Sequence, residues 1–132
     1  MIKVIIVFFA LLIGGMVYLQ QSLQSGKTLR YIDSHPHEKW IPESTYYIGQ
    51  AYYLFQSLPE ATTYFLRVAQ RYPDSPLGDD GYFYYLQSRD DSVAVPREEL
   101  VLGYRAYLEQ YPNGKHVELA KTKFDAYNTS SR

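Results

Sequence analysis

The spacing of hydrophobic positions along this chain changes once. From Val4 to Leu19 they are continuous, and beyond that they recur every three or four residues, the interval at which one face of an α-helix returns. The continuous run is preceded by Lys3 and followed by uncharged Gln20, Gln21 and Ser22, with no further charge until Lys27. As a helix rising about 1.5 Å per residue, Ile2 to Gln21 covers about 30 Å, enough to cross a hydrocarbon core. Leu19, Leu23, Tyr31 and Ile32 keep a helical spacing and no proline intervenes before Pro36, so one helix is expected over residues 3–34, with Gly26 its weak point.

The remaining helices follow from the same period and from their end signals. Tyr47, Ile48, Ala51, Tyr52 and Phe55 predict a helix from Pro42 to Ser57. Ser57 and Glu60 have capping-box spacing and start the next, which runs to Tyr72. Ser75 with Pro76 opens another, ending near Ser88, with Asp79 and Asp80 placed in its first turn, at the positive end of the helix dipole. Arg89 to Val95 is expected as a polar loop. Pro96 with Glu98 and Glu99 begins a helix reaching Tyr111, and Asn113-Gly114 is a turn pair. A last helix carries Val117, Leu119, Ala120, Phe124 and Tyr127, and its Lys115, Glu118, Lys121, Lys123 and Asp125 suit a solvent-facing cap. No segment alternates as a strand does, and Tyr82 to Leu86, too short to show a period, is read as helix from the repeat described next.

Three proline anchors, His35-Pro36, Tyr72-Pro73 and Tyr111-Pro112, lie 37 and 39 residues apart, inside the window of helical repeats. Eight residues past each proline is Ser44, Gly81 or Ala120, and twelve past it is Ile48, Tyr85 or Phe124; Phe65 and Tyr104 lie eight before the second and third prolines. Small and large side chains at fixed offsets reproduce a packing surface. The expected architecture is therefore all-α: a membrane anchor over residues 1–26, running into a short stack of helical hairpins over residues 27–132.

Composition narrows the classes. The 132 residues carry a formal net charge of −1, so there is no basic field for nucleic acid. Cysteine is absent, which removes disulfides, thiolate metal sites, a cysteine nucleophile and a lipidated cysteine. Fifteen tyrosines suit half-buried seams and grooves, because each joins an apolar ring to a polar tip. The apolar run reads as an uncleaved signal anchor. The competing reading is a cleaved secretory signal, but Met16-Val17-Tyr18-Leu19 stands where a small-x-small cleavage site belongs. The basic N-terminus is expected to remain in the cytoplasm, which in a bacterium makes this a single-pass inner-membrane protein with its C-terminal domain in the periplasm.

With Pro42 as the first position of a unit of about 34 residues, Ile48 and Gly49 fall on a Leu-Gly pair, Tyr52 on a Tyr, Ala61 on a central Ala, Phe65 on a Phe and Pro73 on a closing Pro. The segment resembles a tetratricopeptide repeat. Its Tyr-Pro-Asp-Ser-Pro and Tyr-Pro-Asn-Gly closings are similar to the subtype found in bacterial envelope proteins, among them the helical lipoprotein of the outer-membrane β-barrel assembly machine and the periplasmic Tol-associated coordinators. The resemblance covers about residues 27–132, or between about one and a half and two and a half repeats. The second unit departs from it, since the Leu-Gly-x-x-Tyr motif is lost in Tyr82 to Gln87. The resemblance implies repeat packing by Ile48, Gly49, Tyr52, Ala61, Phe65, Pro73, Tyr104 and Pro112. Gly49 and Ala61 would let two helices approach while Tyr52 and Phe65 fill the space beside them. It also implies a concave face for a peptide or partner helix, with Tyr46, Gln50, Tyr53, Tyr82 and Gln87 as the partner-binding residues.

Catalytic and metal chemistry find no constellation. His35-Pro36-His37-Glu38 is the one close cluster of ligands, and the third histidine is the distant His116. Asp79-Asp80 and Asp90-Asp91 lack the spaced oxygens and glycine of a calcium loop and read as first-turn acids and a solvated loop. Asn128-Thr129-Ser130 fits a glycosylation acceptor, and a polar disordered tail explains it equally well. No cofactor, metal or catalytic residue is assigned. The leading function class is a non-catalytic scaffold or adaptor, an accessory subunit binding a protein partner in a membrane or envelope complex, with Gly14 and Gly15 as a close-approach point for a second transmembrane helix. The alternative is a glycan- or peptidoglycan-binding envelope factor, which needs exposed aromatic faces and would co-sediment with peptidoglycan.

Overall fold

Each proline anchor closes a helix in the same backbone shape. His35, Tyr72 and Tyr111 cap their helices at φ −126°, −130° and −124° with ψ of 48°, 46° and 62°. A residue before proline is pushed out of the α region by the proline ring, so the helix must end there. In the computed structural model, which describes residues 2–129, the elements are α1 (Ile2–Gln24), α2 (Lys27–Ser34), α3 (Ile41–Leu54), α4 (Leu58–Arg71), α5 (Pro76–Asp91), α6 (Arg97–Gln110) and α7 (Val117–Thr129). The described residues contain no strand. Ser130, the last residue of the glycosylation triplet, lies outside the described residues, while Asn128 and Thr129 belong to α7 instead of a disordered tail.

The chain divides into two compact units at Glu38/Lys39, so α2 groups with α1. In the first unit the single helix expected over residues 3–34 is broken. Gly26 sits at φ +69°, in the left-handed region. Its N–H closes back on the Leu23 carbonyl (3.3 Å), and its own carbonyl accepts from Arg30 N (3.0 Å) to start α2. Glycine reaches that conformation without steric cost. α1 is long and apolar enough to cross a membrane, and none of its apolar window is buried.

In the second unit α3 packs on α4, α4 on α5 and α6 on α7, with further contacts of α5 with α6 and of α3 with α5. The α3–α4 connection is only three residues, Phe55 to Ser57. Gln56 takes φ +60° there, and Ser57 N and Gln56 N bond back to the Tyr52 and Tyr53 carbonyls at 2.9 and 3.0 Å. This is the hydrogen-bond pattern of a Schellman close, and it takes the Ser57 N–H from which Glu60 would have accepted in the expected capping box; the Ser57 side chain makes no cap bond either. Ser75 does cap α5, accepting from Gly78 N at 3.2 Å.

Small residues mark the crossings. A Cβ on Gly49 would lie 2.9 Å from the Phe65 ring, and one on Gly81 would lie 2.8 Å from Val68. Ala61 and Phe65 are wholly buried, and Tyr52 stacks on Tyr64 with centroids 5.6 Å apart. Around α5 and α6 the core is Phe83, Leu86, Leu100, Tyr104, Tyr107 and Ala120.

Candidate functional site

α5 runs to Asp91, three residues past its expected end. The reason lies in what its polar residues hold. Arg89 donates to the Tyr85 hydroxyl (3.1 Å) and pairs with Glu99. Asp90 accepts from Tyr104 (2.8 Å), from Tyr127 and from Lys123 Nζ (3.0 Å). Asp79, at the other end of the helix, is buried and accepts from the Tyr107 hydroxyl and from Lys115 N (2.7 Å). Asp79 is the first-turn acid expected from sequence, whereas Asp90 is not the solvated loop acid expected there; both tie α5 to α6 and to the segment around α7. Burial opposes ionisation of Asp90, but the bonds from Tyr127, Lys123 and Tyr104 outweigh it and hold its carboxyl below the usual range. Burial and the bond to Asp90 push the Tyr104 hydroxyl well above its ordinary value.

One residue on, about 100° around the helix, the other two aspartates, Asp80 and Asp91, face a different surface. Phe65 lies beneath it, stacked with Tyr84 at 5.6 Å. Tyr46 and Tyr53, two turns apart on α3, approach both rings, with centroids 6.2 Å from Tyr84 in each case. Gln50, between them, donates to the Tyr46 hydroxyl at 2.9 Å. Tyr53 donates to Asp91, which also accepts from Gln87 Nε2 at 3.0 Å. At the far end Asp80 accepts from Lys115 Nζ (2.9 Å) and meets His116 Nε2 (2.8 Å). The His116 ring stacks on Phe83 at 4.2 Å and meets Tyr84 edge-on. Burial, then the charge of Asp80, pushes the Tyr46 hydroxyl up to about 12. Burial and the bond to Asp91 raise that of Tyr53. At neutral pH both hydroxyls are therefore intact, and the face offers half-buried aromatic rings, two amides and a carboxylate.

The structure thus brings together four of the five residues expected to meet a partner, Tyr46, Gln50, Tyr53 and Gln87, and separates the fifth. Tyr82 stacks on Tyr85 and Tyr107 at 6.1 and 5.9 Å and belongs to the α5–α6 seam. Residues 82 and 87 are five apart, which puts them about 140° apart around a helix. The steps of three and four from Gln87 lead instead to Tyr84, Asp80 and Asp91, which this spacing would have found. Gly14 and Gly15 have open space where a Cβ would stand. His35 stacks on Tyr31 at 4.2 Å and its Nδ1 lies 2.9 Å from the Tyr31 carbonyl. Among the described residues no three acidic or histidine side chains are grouped as metal ligands. No family model matches the sequence, and no curated protein is significantly similar to it.

Proposed function

We propose that this chain is a membrane-anchored, tetratricopeptide-like interaction module, in which α1 is the anchor and the α3–α5 face receives a protein partner. In a bacterium its helical domain would stand in the periplasm as an accessory subunit of a membrane or envelope complex. The observation that carries this reading is the convergence of Tyr46, Gln50, Tyr53, Tyr84, Gln87 and Asp91 on one half-exposed face above Phe65. The repeat reading is supported by the matching backbone at the three proline closures and by the small residues at helix crossings. The link from anchor to domain is not one continuous helix, because Gly26 interrupts it. Rigid placement above the bilayer is therefore no part of the proposal.

The glycan reading draws less support. Tyr46, Tyr53 and Tyr84 spend ring contacts on Phe65 and on one another, where sugar stacking needs open faces. Site-specific photo-crosslinking in native membranes tests the proposal. A crosslinking residue at Gln50 or Gln87 should trap one discrete partner, and the same residue at Thr63 or Leu119 should not. Equal trapping at all four positions, or none at the first two, would refute it.

A further inference from the structure

The two ends of the helical unit differ in what they present to water. On the α7 end, Glu118, Lys121 and Asp125 are exposed, the polar outer face that a terminal helix needs for solubility. On α3, Glu43 is the one charged residue between Ile41 and Leu54. Its outward stripe is Trp40, Tyr47, Ala51, Leu54 and Phe55, and the four large side chains are 48%, 66%, 75% and 78% exposed. Steps of seven, four, three and one keep all five within roughly 100° of the helix circumference. Ile41, Thr45 and Gly49 occupy the buried side.

We infer that this stripe rests on the surface of the lipid bilayer that α1 enters, an inference that depends on the anchor proposed above. Two observations favour lipid over protein as its occupant. Trp40 lies 16 residues past the end of α1, and eight of the intervening residues are the helix α2. At about 1.5 Å per helical and 3.4 Å per extended residue, it stays within about 40 Å of the bilayer whatever the path. The stripe is therefore held at high effective concentration beside a membrane. Area is the second. With about 150–250 Å² available per aromatic side chain, the exposed parts of Trp40, Tyr47, Leu54 and Phe55 sum to roughly 500 Å², short of the roughly 800 Å² per partner of a stable protein interface. Tethered contact with an interface needs no such area, and Trp and Tyr are the residues enriched at headgroup depth. Lys39 and Glu43 flank the stripe with opposite charges, so the contact does not require anionic lipid.

Trp40 is the single tryptophan of the chain, which makes it an internal reporter. The full chain is reconstituted into phosphatidylcholine vesicles with and without acyl-brominated lipid, and insertion is checked by flotation. The expected result is a blue-shifted Trp40 emission that brominated chains quench, a several-fold fall in acrylamide quenching relative to free tryptophan, and no dependence on the protein-to-lipid ratio. The combined variant Tyr47→Ser, Leu54→Ser and Phe55→Ser, confined to exposed positions, should still float but lose the bromine quenching. Flotation with Trp40 open to acrylamide overturns this inference alone. Trp40 protection that ignores brominated lipid, or that grows with protein density, also overturns it and assigns the stripe to a protein contact or a second copy. A chain that fails to float refutes the anchor and this inference together.

Discussion

Replacing Asp90 by alanine removes the acceptor shared by Tyr104, Tyr127 and Lys123. Tyr104 is wholly buried, so its hydroxyl would lose its bond without reaching water, a cost of about 1–3 kcal/mol. Tyr127 is half-exposed and can turn to solvent, so it adds little. The Asp90 side chain is 7% exposed but that of Lys123 is 29%, and the pair is discounted for screening to about 1 kcal/mol at most. The expected loss is about 1–4 kcal/mol, which in a domain of this size lowers Tm by at least about 4 °C. Tyrosine near-UV circular dichroism of the full chain in mild detergent reads the transition. The double variant Asp90→Ala/Tyr104→Phe should cost less than the two single variants added, by about 1–2 kcal/mol, because the stranded hydroxyl is gone. The pH dependence adds a sign check. A carboxyl held below its unfolded value stabilises above about pH 4, and that contribution is lost as pH falls through the folded value. Asp90→Asn should therefore flatten the acid limb below about pH 4. A Tm shift under about 3 °C for Asp90→Ala, or strict additivity in the cycle, would refute the assignment of Asp90 as the anchor.

Three further outcomes are expected. Gly49→Ala should destabilise by about 1–2 kcal/mol despite its better helix propensity, because the new Cβ meets a Phe65 ring enclosed by Tyr46, Tyr53 and Tyr84; a rise in Tm would contradict that packing. Gln56→Gly should stabilise by roughly 1 kcal/mol in the same melt, since Gln56 holds φ +60° at the α3–α4 turn. Above about pH 10, where unfolded tyrosine ionises, the raised hydroxyls of Tyr46, Tyr53, Tyr64, Tyr104 and Tyr107 make stability fall as pH climbs through their folded values. An absorbance titration should find a late-ionising group that appears together with loss of helicity, and ionisation of all fifteen tyrosines near pH 10 with the helices intact would exclude the burial described.

What the sequence made legible was whatever proline or periodicity controls locally. The ends of α2, α4 and α6 were readable because a residue before proline cannot stay helical, and the burial of Phe65 and Tyr104 followed from their shared offset to those prolines. The break at Gly26 was not decidable, because a glycine inside a helical pattern costs only about 1 kcal/mol and can as well be carried through. The Ser57 capping box failed for a related reason: one backbone N–H can serve either the helix behind it or the one ahead, and the spacing is the same. The roles of Asp79 and Asp90 lay out of reach altogether. Their partners stand 14 to 37 residues away, and a paired acid looks like a solvated one until the helices are packed. Tyr82 and Tyr84, two residues apart on opposite sides of α5, could be told apart only by which neighbour each side meets.

The four aspartates of α5 resolve into two pairs by helix geometry. Asp79 and Asp90 are eleven residues apart, about three turns, and so share one face; Asp80 and Asp91 share the next by the same interval. The first pair binds Tyr107, Tyr104 and Tyr127 and fixes α6 and α7 on α5 at both ends of the helix. The second pair borders the Tyr46–Tyr53 face, with Lys115 and His116 drawn onto Asp80 and Tyr53 onto Asp91. A rotation of α5 that lengthened the bonds of one pair would displace the other, since neighbouring residues turn with the same backbone. The geometry of the Tyr46–Tyr53 face is thus set partly by tyrosines on α6 and α7 that do not line it.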